Sequence, residues 1–324
     1  MSSTVAPLRP DDRPPLNLTG KKSRQRSEEV IKYALIACAL VTLLTTVGII
    51  GVLLFEAAKF FAEVPIWDFL SGTTWTPLFA GSQQEFGVLP LVMGTLMTSL
   101  VAACISLPLG LAAAIYLSEF ASERARSILK PVLEVLAGVP TIVYGFFALT
   151  FITPVILEPL FPNIGTFNGL SAGIAIGIMA MPTVASLSED ALRAVPRSLR
   201  EAAYGLGATK FEATARVVVP AAISGIVASF ILAISRAIGE TMIVAVAAGQ
   251  SPAGQSGASN SVFDLMNSMQ TMTGFIAYTF SSDVARDSVA FYSLLGVGLL
   301  LFIMTFGMNL ASQWVTRKYR EEYE

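Results

Sequence analysis

The amino-acid sequence predicts an all-α membrane protein that crosses the bilayer six times. Hydrophobic residues make up 54% of its 324 residues, charged residues make up 14%, and the mean hydropathy is +0.66. A soluble domain carries about 25% charged residues, so this composition favours a membrane protein. Six apolar stretches are close to or above the roughly 20 residues that a helix needs to cross the hydrocarbon core. The sequence lacks the apolar and polar alternation of membrane barrel strands, which leaves helices as the spanning elements.

The six spans follow one another in one membrane domain. We place them at residues 33–55, 88–116, 132–157, 170–187, 223–248 and 291–315. The predicted organisation is a polar tail over 1–29, a first helix and outer loop over 30–87, a transmembrane core over 88–316 that contains a cytoplasmic loop over 196–220, and a second tail over 317–324.

Lysine and arginine positions predict the orientation, because cytoplasmic flanks of membrane helices accumulate them. One side of the predicted topology carries only Lys59 and Arg286. The other side carries Lys21, Lys22, Arg24, Arg26, Lys32, Arg124, Arg126, Lys130, Arg193, Arg197, Arg200, Lys210, Arg216, Arg317, Lys318 and Arg320. We therefore expect both ends of the chain in the cytoplasm and the spans in an inner or plasma membrane.

Composition also excludes several classes of function. The net charge of −2 gives no basis for nucleic-acid binding, and the sequence has no histidine for a transition-metal site or a proton relay. Cys38 and Cys104 both fall within apolar spans, where a cysteine is usually a small hydrophobic residue. We expect no metal site and no cofactor on this chain.

Two outer loops carry apolar side chains. The loop over 56–87 contains Trp67 and Trp75, which suit the headgroup level of a membrane. The loop over 250–287 has an apolar stripe at helical spacing that predicts a short helix covering the outer rim. The stripe consists of Val262, Leu265, Met266 and Met269.

The cytoplasmic loop has the pattern of a helical hairpin. Pro196 can begin a first helix, Gly205 or Gly207 can end it in the left-handed conformation, and residues 210–218 can form a second helix. Small side chains at Ala202, Ala203 and Ala208 would let a partner protein approach closely, and Arg197, Arg200 and Glu201 would orient it. An ordinary amphipathic connector would fit the same spacing.

The fifth span contains two charges, Arg236 and Glu240. Ionisable residues inside a membrane are costly and commonly functional. The spacing of four residues places them on one helical face, where they can pair. Gly225 and Ser229 continue that face as a weakly polar strip, and a count from Pro220 puts Arg236 about 24 Å along the helix. An arginine there suits an oxyanion, although an Arg–Glu pair can also simply lock two helices together.

The cytoplasmic loop resembles the EAA loop of ATP-binding-cassette (ABC) importer permeases. That motif is Glu-Ala-Ala, three residues, Gly, nine residues, and then aliphatic-x-aliphatic-Pro. It is matched here by Glu201, Ala202, Ala203, Gly207, Val217, Val219 and Pro220. The resemblance implies the transmembrane domain of a type I ABC importer, in which Arg200 to Ala208 couple the permease to an ATPase. The sequence has no Gly-x-x-x-x-Gly-Lys-Ser/Thr phosphate cradle, so ATP and Mg are expected on a separate subunit, and this chain is expected to be no enzyme.

Other segments resemble the phosphate-specific transport (Pst) permeases, and most closely their PstC-type subunit. The matching segments are Arg236-Ala-Ile-Gly239-Glu240-Thr241-Met242, Leu133-Glu134-Val-Leu-Ala137-Gly138-Val-Pro140-Thr-Ile-Val-Tyr144-Gly145, Gly94-Thr95-Leu96 through Ser99, and Ala114-Ile115-Tyr116-Leu117-Ser118-Glu119. The resemblance implies that Arg236 and Glu240 serve phosphate passage. Near Pro140 and Pro182, each expected to interrupt a span, hydroxyl groups of Thr141, Tyr144 and Thr183 would add donors, and we include Thr241 and Ser229 in the same pathway.

The implied function is that of a permease subunit that moves inorganic phosphate by alternating access. The implied partners are a PstA-like permease, two copies of a PstB-like ATPase, a PstS-like binding protein and the surrounding lipid. A permease for molybdate, sulfate or phosphonate is the nearest alternative. An ion-gradient-driven anion carrier is a more distant one, because no internal repeat is evident in the sequence.

Overall fold

A computed structural model describes residues 22–79, 81–252 and 263–318. Within these ranges the chain is helical, and extended pairing is confined to one bridge between Trp75 and Phe86. The all-α prediction is thereby confirmed. The α-helices are α1 Lys22–Glu63, α2 Ile66–Ser71, α3 Leu89–Ile115, α4 Glu123–Gly138, α5 Thr141–Phe147, α6 Glu158–Leu160, α7 Gly169–Ala194, α8 Arg197–Gly205, α9 Lys210–Ala213, α10 Val219–Ala221, α11 Ile223–Ile238, α12 Met242–Ala247, α13 Met272–Ser281 and α14 Val289–Lys318. One short 3₁₀ helix, Gly81–Gln83, and three π-helical segments, Tyr116–Phe120, Ala148–Leu157 and Thr214–Val218, complete them.

The contacts divide the chain into two units, one up to Val52 and one from Leu53 onward. In the first unit, the described side chains of α1 are almost all exposed, as expected for a helix that meets lipid or another subunit. The second unit contains all the other helices and the packed cores. The predicted division of the chain at 29, 87 and 316 stays a prediction.

Within the described residues, five helical segments are long and apolar enough to cross a membrane. They are Glu28–Glu63, Leu89–Phe120, Thr141–Leu160, Gly169–Ala194 and Val289–Lys318. A sixth is a pair, Lys210–Ala221 and Ile223–Ile238, that bends by 69° at its junction. With the bent pair counted as one span, the number agrees with the six predicted.

Of the two prolines predicted to interrupt a span, Pro140 lies at a helix break and Pro182 does not. The third span does not begin at residue 132, because residues 132–138 belong to α4, and the chain breaks at Val139 and Pro140 before α5. Val139 is extended because the residue before a proline is kept out of the helical region. Pro182 was expected to interrupt the fourth span, but α7 continues through it as a buried part of the helix.

The centre of the second unit is the packing of α3 against α7. Small residues let the two backbones approach closely, as is common between membrane helices. A Cβ atom at Gly173 would lie 2.6 Å from Cβ of Val101, and one at Gly177 would lie 2.9 Å from Cβ of Ile105. These glycines have no room for a larger side chain, so they fix α7 against α3.

The outer loops differ from their predictions. Trp67 is exposed as expected for an interfacial residue, but Trp75 is buried in an aromatic cluster, where its ring centroid lies 4.8 Å from that of Phe275. The predicted helix over residues 262–269 is wrong, since the described residues 263–270 are non-helical and a helix begins only at Met272. Residue 262 lies outside the described residues. Of the other three residues of the stripe, Met269 is buried, Leu265 is half-buried and Met266 is exposed, so they do not share one buried face.

Candidate functional site

The cytoplasmic loop folds as the predicted helical hairpin, and its turn is closed by Gly207. This glycine has φ +86, a left-handed conformation that favours glycine. Its N–H donates to the carbonyl of Tyr204 at 2.9 Å, and the Ala208 N–H donates to the carbonyl of Ala203 at 3.1 Å. These are the two hydrogen bonds of a Schellman motif. Gly205 remains inside the helix, so the structure selects Gly207 from the two predicted candidates.

The second helix of the hairpin begins with a capping box. The Thr209 hydroxyl accepts a hydrogen bond from the Glu212 N–H, and the Glu212 carboxylate accepts one from the Thr209 N–H. Sequence reasoning missed this cap, although the Thr-x-x-Glu spacing is a known signal for it. The two motifs together fix both ends of the turn.

The predicted coupling residues separate into an outer and an inner group. Glu201 and Ala202 are exposed and Ala208 is half-buried, whereas Ala203 is only 7% exposed because it packs inside the hairpin. Arg200 also points inward, so the expectation that its charge orients a partner needs correction. The surface available to a partner is therefore formed by the outer group and by the tip of the hairpin.

Arg200 ties the hairpin to the ends of two membrane helices. Its guanidinium donates to the carbonyls of Leu192 and Val195, both at 2.8 Å, and to the carboxylate of Glu119 at 3.1 Å. Glu119 lies in the π-helical segment that ends the second span, and both side chains of the ion pair are largely buried. The sequence offered Glu119 as part of a family motif, but gave it no role. A cleft of about 380 Å³ at this junction is lined by Ser118, Glu119, Arg193, Arg197, Arg200, Glu201 and Tyr204.

A second charged cluster, also missed from the sequence, surrounds Glu189 of α7. This side chain is only 1% exposed. Its carboxylate lies 2.5 Å from Arg126 and 3.5 Å from Lys130, both on α4, and 3.6 Å from Arg193 one turn farther along α7. A buried carboxylate requires such partners. The Glu189–Arg193 spacing of four residues was a local signal for part of this cluster.

The predicted fifth span, residues 223–248, breaks between its two charges. Helix α11 ends at Ile238, and Glu240 lies in the break before α12. The Glu240 carboxylate accepts hydrogen bonds from the N–H groups of Met242 and Ile243, at 3.1 and 3.3 Å, and so caps the start of α12. The prediction that Arg236 and Glu240 pair along one helical face is therefore wrong for this structure.

Arg236 is exposed and lies in the last turn of α11. Among the described residues, the hydroxyl of Thr183 on α7 is its one hydrogen-bond acceptor, at 3.2 Å. Because the bend precedes Ile223, the helical distance to Arg236 starts there and is about 20 Å, shorter than the count from Pro220. Most of the five N–H donors of the guanidinium therefore have no partner within the described part of the chain.

The other predicted pathway residues differ in how deeply they are buried. Thr241 is half-buried in the break beside Glu240, and Thr141 is half-buried at the start of α5. Tyr144 is buried, and its hydroxyl donates to the carbonyl of Leu136 at 2.7 Å, so that donor is already used. Ser229 is buried too, with its hydroxyl 2.8 Å from that of Ser188.

The predicted polar strip below Arg236 is part of a helix contact. Ser229 meets Ser188 of α7, and a Cβ atom at Gly225 would lie 2.4 Å from Cβ of Ala191, also on α7. Helix packing explains both small residues, so the strip does not line a passage in this structure. The structure brings Arg236, Thr183, Glu240 and Thr241 to the helix break and leaves Ser229 and Tyr144 in the packed interior.

The amino-acid sequence is similar to those of known transport permeases. Residues 106–321 match the family model described as binding-protein-dependent transport system inner membrane component. The probable ABC transporter permease protein YqgH of Bacillus subtilis is 33% identical over 306 residues, which cover 93% of this chain and 94% of that protein. The phosphate transport system permease protein PstC of Mesorhizobium japonicum is 32% identical over 296 residues, which cover 86% of each chain.

Solved structures of ABC importers have the same fold. A bacterial ABC transporter that imports the acidic polysaccharide alginate aligns with a TM-score of 0.60 at 12% identity, over 92% of this chain and 99% of that chain. An inward-facing MetNI methionine ABC transporter aligns with a TM-score of 0.51 at 19% identity, over 72% of this chain and 94% of that chain. The chain therefore belongs to the binding-protein-dependent transport system inner membrane components and is a PstC-like permease subunit of an ABC importer, a multi-pass membrane protein that is no enzyme.

Proposed function

We propose that this permease subunit carries inorganic phosphate. The observation that supports the proposal best is the exposed Arg236 guanidinium at the break of the fifth span. Its planar set of donors suits the oxygen atoms of a phosphate ion. Helix breaks in transporters commonly lie at substrate sites, because the interrupted backbone frees polar groups. The phosphate transport permeases among the relatives support the same substrate.

The state of Glu240 explains how Arg236 can attract an anion. A glutamate paired with the arginine would neutralise it, and an anion would then have to displace the carboxylate. In the structure the carboxylate instead satisfies the first N–H groups of α12, so the arginine donors remain available. The negative charge of Glu240 nevertheless stays close in the chain, which keeps phosphate binding weak. Weak binding suits transport, since a site that binds phosphate tightly would release it too slowly.

The tip of the hairpin supports docking of a PstB-like ATPase. Leu206 and Phe211 flank the turn and are 90% and 70% exposed, and Tyr204 is exposed beside them. Large apolar side chains presented together on a polar loop are typical of a protein contact. ATP and Mg would be bound by that ATPase. Movement of the hairpin with the closing ATPase would then switch the permease between outward and inward states.

The remaining partners follow from the same proposal. A PstA-like subunit would complete the pathway as the second permease, and a PstS-like protein would deliver phosphate to the outer loops. Arg236 would meet the ion after its release from the binding protein, so selectivity would lie mainly in that protein.

The proposal is tested by uptake of labelled phosphate at low micromolar concentration. Cells that lack this chain and cells that receive it back would be compared, with excess molybdate and sulfate as competitors. We expect uptake to return with the chain, to resist both competitors and to stop when ATP is depleted. Equal uptake in the two strains, with the partner subunits present, would reject phosphate. Inhibition by molybdate or sulfate would reassign the permease to that oxyanion.

The ion pair between Glu119 and Arg200 leads to a second prediction. The substitution Glu119→Ala should lower phosphate uptake per ATP hydrolysed several-fold, because it disconnects the hairpin from the end of the second span. Arg200 would keep its two backbone acceptors, so the hairpin itself should stay folded. Uptake and ATP hydrolysis would be measured together in proteoliposomes that contain the complete transporter.

Two variants sharpen that measurement. Glu119→Gln keeps an acceptor oxygen for Arg200 and should recover part of the lost coupling. Glu123→Ala removes an exposed carboxylate four positions along the chain and should leave uptake per ATP unchanged. Equal uptake per ATP in Glu119→Ala and Glu123→Ala would show that the ion pair does not transmit the movement.

A further inference from the structure

Helix α4 is unusual because it contacts the rest of the protein through charged side chains. None of its residues, Glu123–Gly138, all of which the structure describes, is buried. Among the helices that the structure describes, α4 packs extensively only against α7, where Arg126 and Lys130 reach the buried Glu189. The protein side of α4 is therefore its charged side.

The apolar side of α4 points away from that contact. Positions 128, 132 and 135 lie within one narrow stripe of a helix with 100° per residue, about half a turn from Arg126 and Lys130. The side chains at the two ends of the stripe, Ile128 and Val135, are 64% and 70% exposed. Leu129 and Val132 lie on or beside the same face and are exposed as well. Exposure of such an apolar face to water is unfavourable, so lipid or another apolar surface is expected to cover it.

The connections at the two ends of α4 keep it close to the membrane. Two residues, Ala121 and Ser122, join it to the segment Leu89–Phe120, and two residues, Val139 and Pro140, join it to the segment Thr141–Leu160. Both neighbours are long and apolar enough to cross the membrane. With such short connections at each end, the 16-residue helix, about 24 Å long, cannot leave the membrane surface.

We propose that α4 lies in the cytoplasmic lipid interface, with Ile128, Val132 and Val135 inserted among the acyl chains and Arg126 and Lys130 anchored on Glu189. This is the arrangement of an interfacial amphipathic helix. Arg124 is exposed on the same stripe as Ile128, one turn before it, and its long side chain can extend to lipid phosphate groups. Glu189 thus fixes the rotation of α4 so that its apolar face meets lipid. The proposal does not depend on which anion is transported.

Fluorescence quenching in lipid nanodiscs tests this placement. Cys38→Ala and Cys104→Ala would remove the native thiols from the full chain, which would be purified with its partner subunits. An environment-sensitive fluorophore would then be attached to single cysteines at Val135→Cys, at Ile128→Cys or, as the control on the polar side, at Ser127→Cys. Quenchers would be nitroxide lipids labelled near the headgroup or near the chain end, and aqueous iodide.

The proposal predicts opposite results on the two sides of the helix. Labels at positions 128 and 135 should be quenched several times more strongly by the nitroxide near the headgroup than by that near the chain end, and little by iodide. The label at position 127 should respond mainly to iodide. Iodide quenching of all three labels would overturn the proposal in favour of a bare surface. Protection of positions 128 and 135 from every quencher would overturn it in favour of a protein partner, such as the second permease subunit.

Discussion

Arg236→Gln is expected to abolish phosphate uptake while the transporter still assembles. The substitution removes the positive charge and the guanidinium fork from the break of the fifth span, and glutamine can still hydrogen-bond Thr183. Because Arg236 is exposed and makes no ion pair among the described residues, its loss should leave the helix packing intact. Uptake of labelled phosphate and co-purification of the partner subunits would be measured on the same preparation.

Two variants separate charge from packing in this experiment. Arg236→Lys keeps the charge without the fork and should retain weak uptake. Thr183→Val removes the hydroxyl that Arg236 contacts and should reduce uptake only modestly, since the arginine keeps its charge. Normal uptake in Arg236→Gln would assign the arginine to structure alone. Failure of that variant to assemble would also contradict the exposed position described here.

The contrast between Arg236 and Glu240 shows what a helical period can and cannot predict. The sequence identified both charges as candidate site residues, and the structure places Arg236 in α11 and Glu240 in the break that follows it. A spacing of four residues implies a shared face only if the helix is continuous, and α11 ends at Ile238, between the two charges. Glu240 then stands just before a new helix, where an acidic side chain can satisfy free N–H groups. A glutamate inside an apolar run is therefore also a signal for a restarted helix.

The spans themselves were easier to predict than their ends. Apolar length alone predicts a membrane helix, so each predicted span found its counterpart. The boundaries depended on local breaks such as Val139–Pro140 and on tertiary contacts. Residues 132–138 are apolar enough to resemble part of a span, but they belong to a helix held from its opposite side by Glu189. Arg126 and Lys130 lie far from that carboxylate in the sequence, and nothing in the local pattern of α4 indicates the contact.

Gly207→Val is expected to uncouple ATP hydrolysis from transport and to weaken binding of the ATPase. The cause lies within the chain, because Gly207 has φ +86 and closes the Schellman motif. A non-glycine residue in that conformation costs about 1–2 kcal/mol, and a β-branched residue is a stronger outlier. The turn should therefore open and displace Leu206 and Phe211 from the tip.

A graded series at this turn distinguishes backbone strain from a steric clash with the partner. Asparagine tolerates the left-handed conformation better than alanine or valine, so Gly207→Asn should retain more ATPase binding than the smaller Gly207→Ala. A steric clash would give the reverse order, since asparagine is larger. Gly205→Ala is the matched control, because its Cβ atom would have nothing within 4 Å and alanine favours the helix that Gly205 occupies. ATPase co-purification and phosphate uptake near the wild-type level in Gly207→Val would show that coupling does not require the fixed turn.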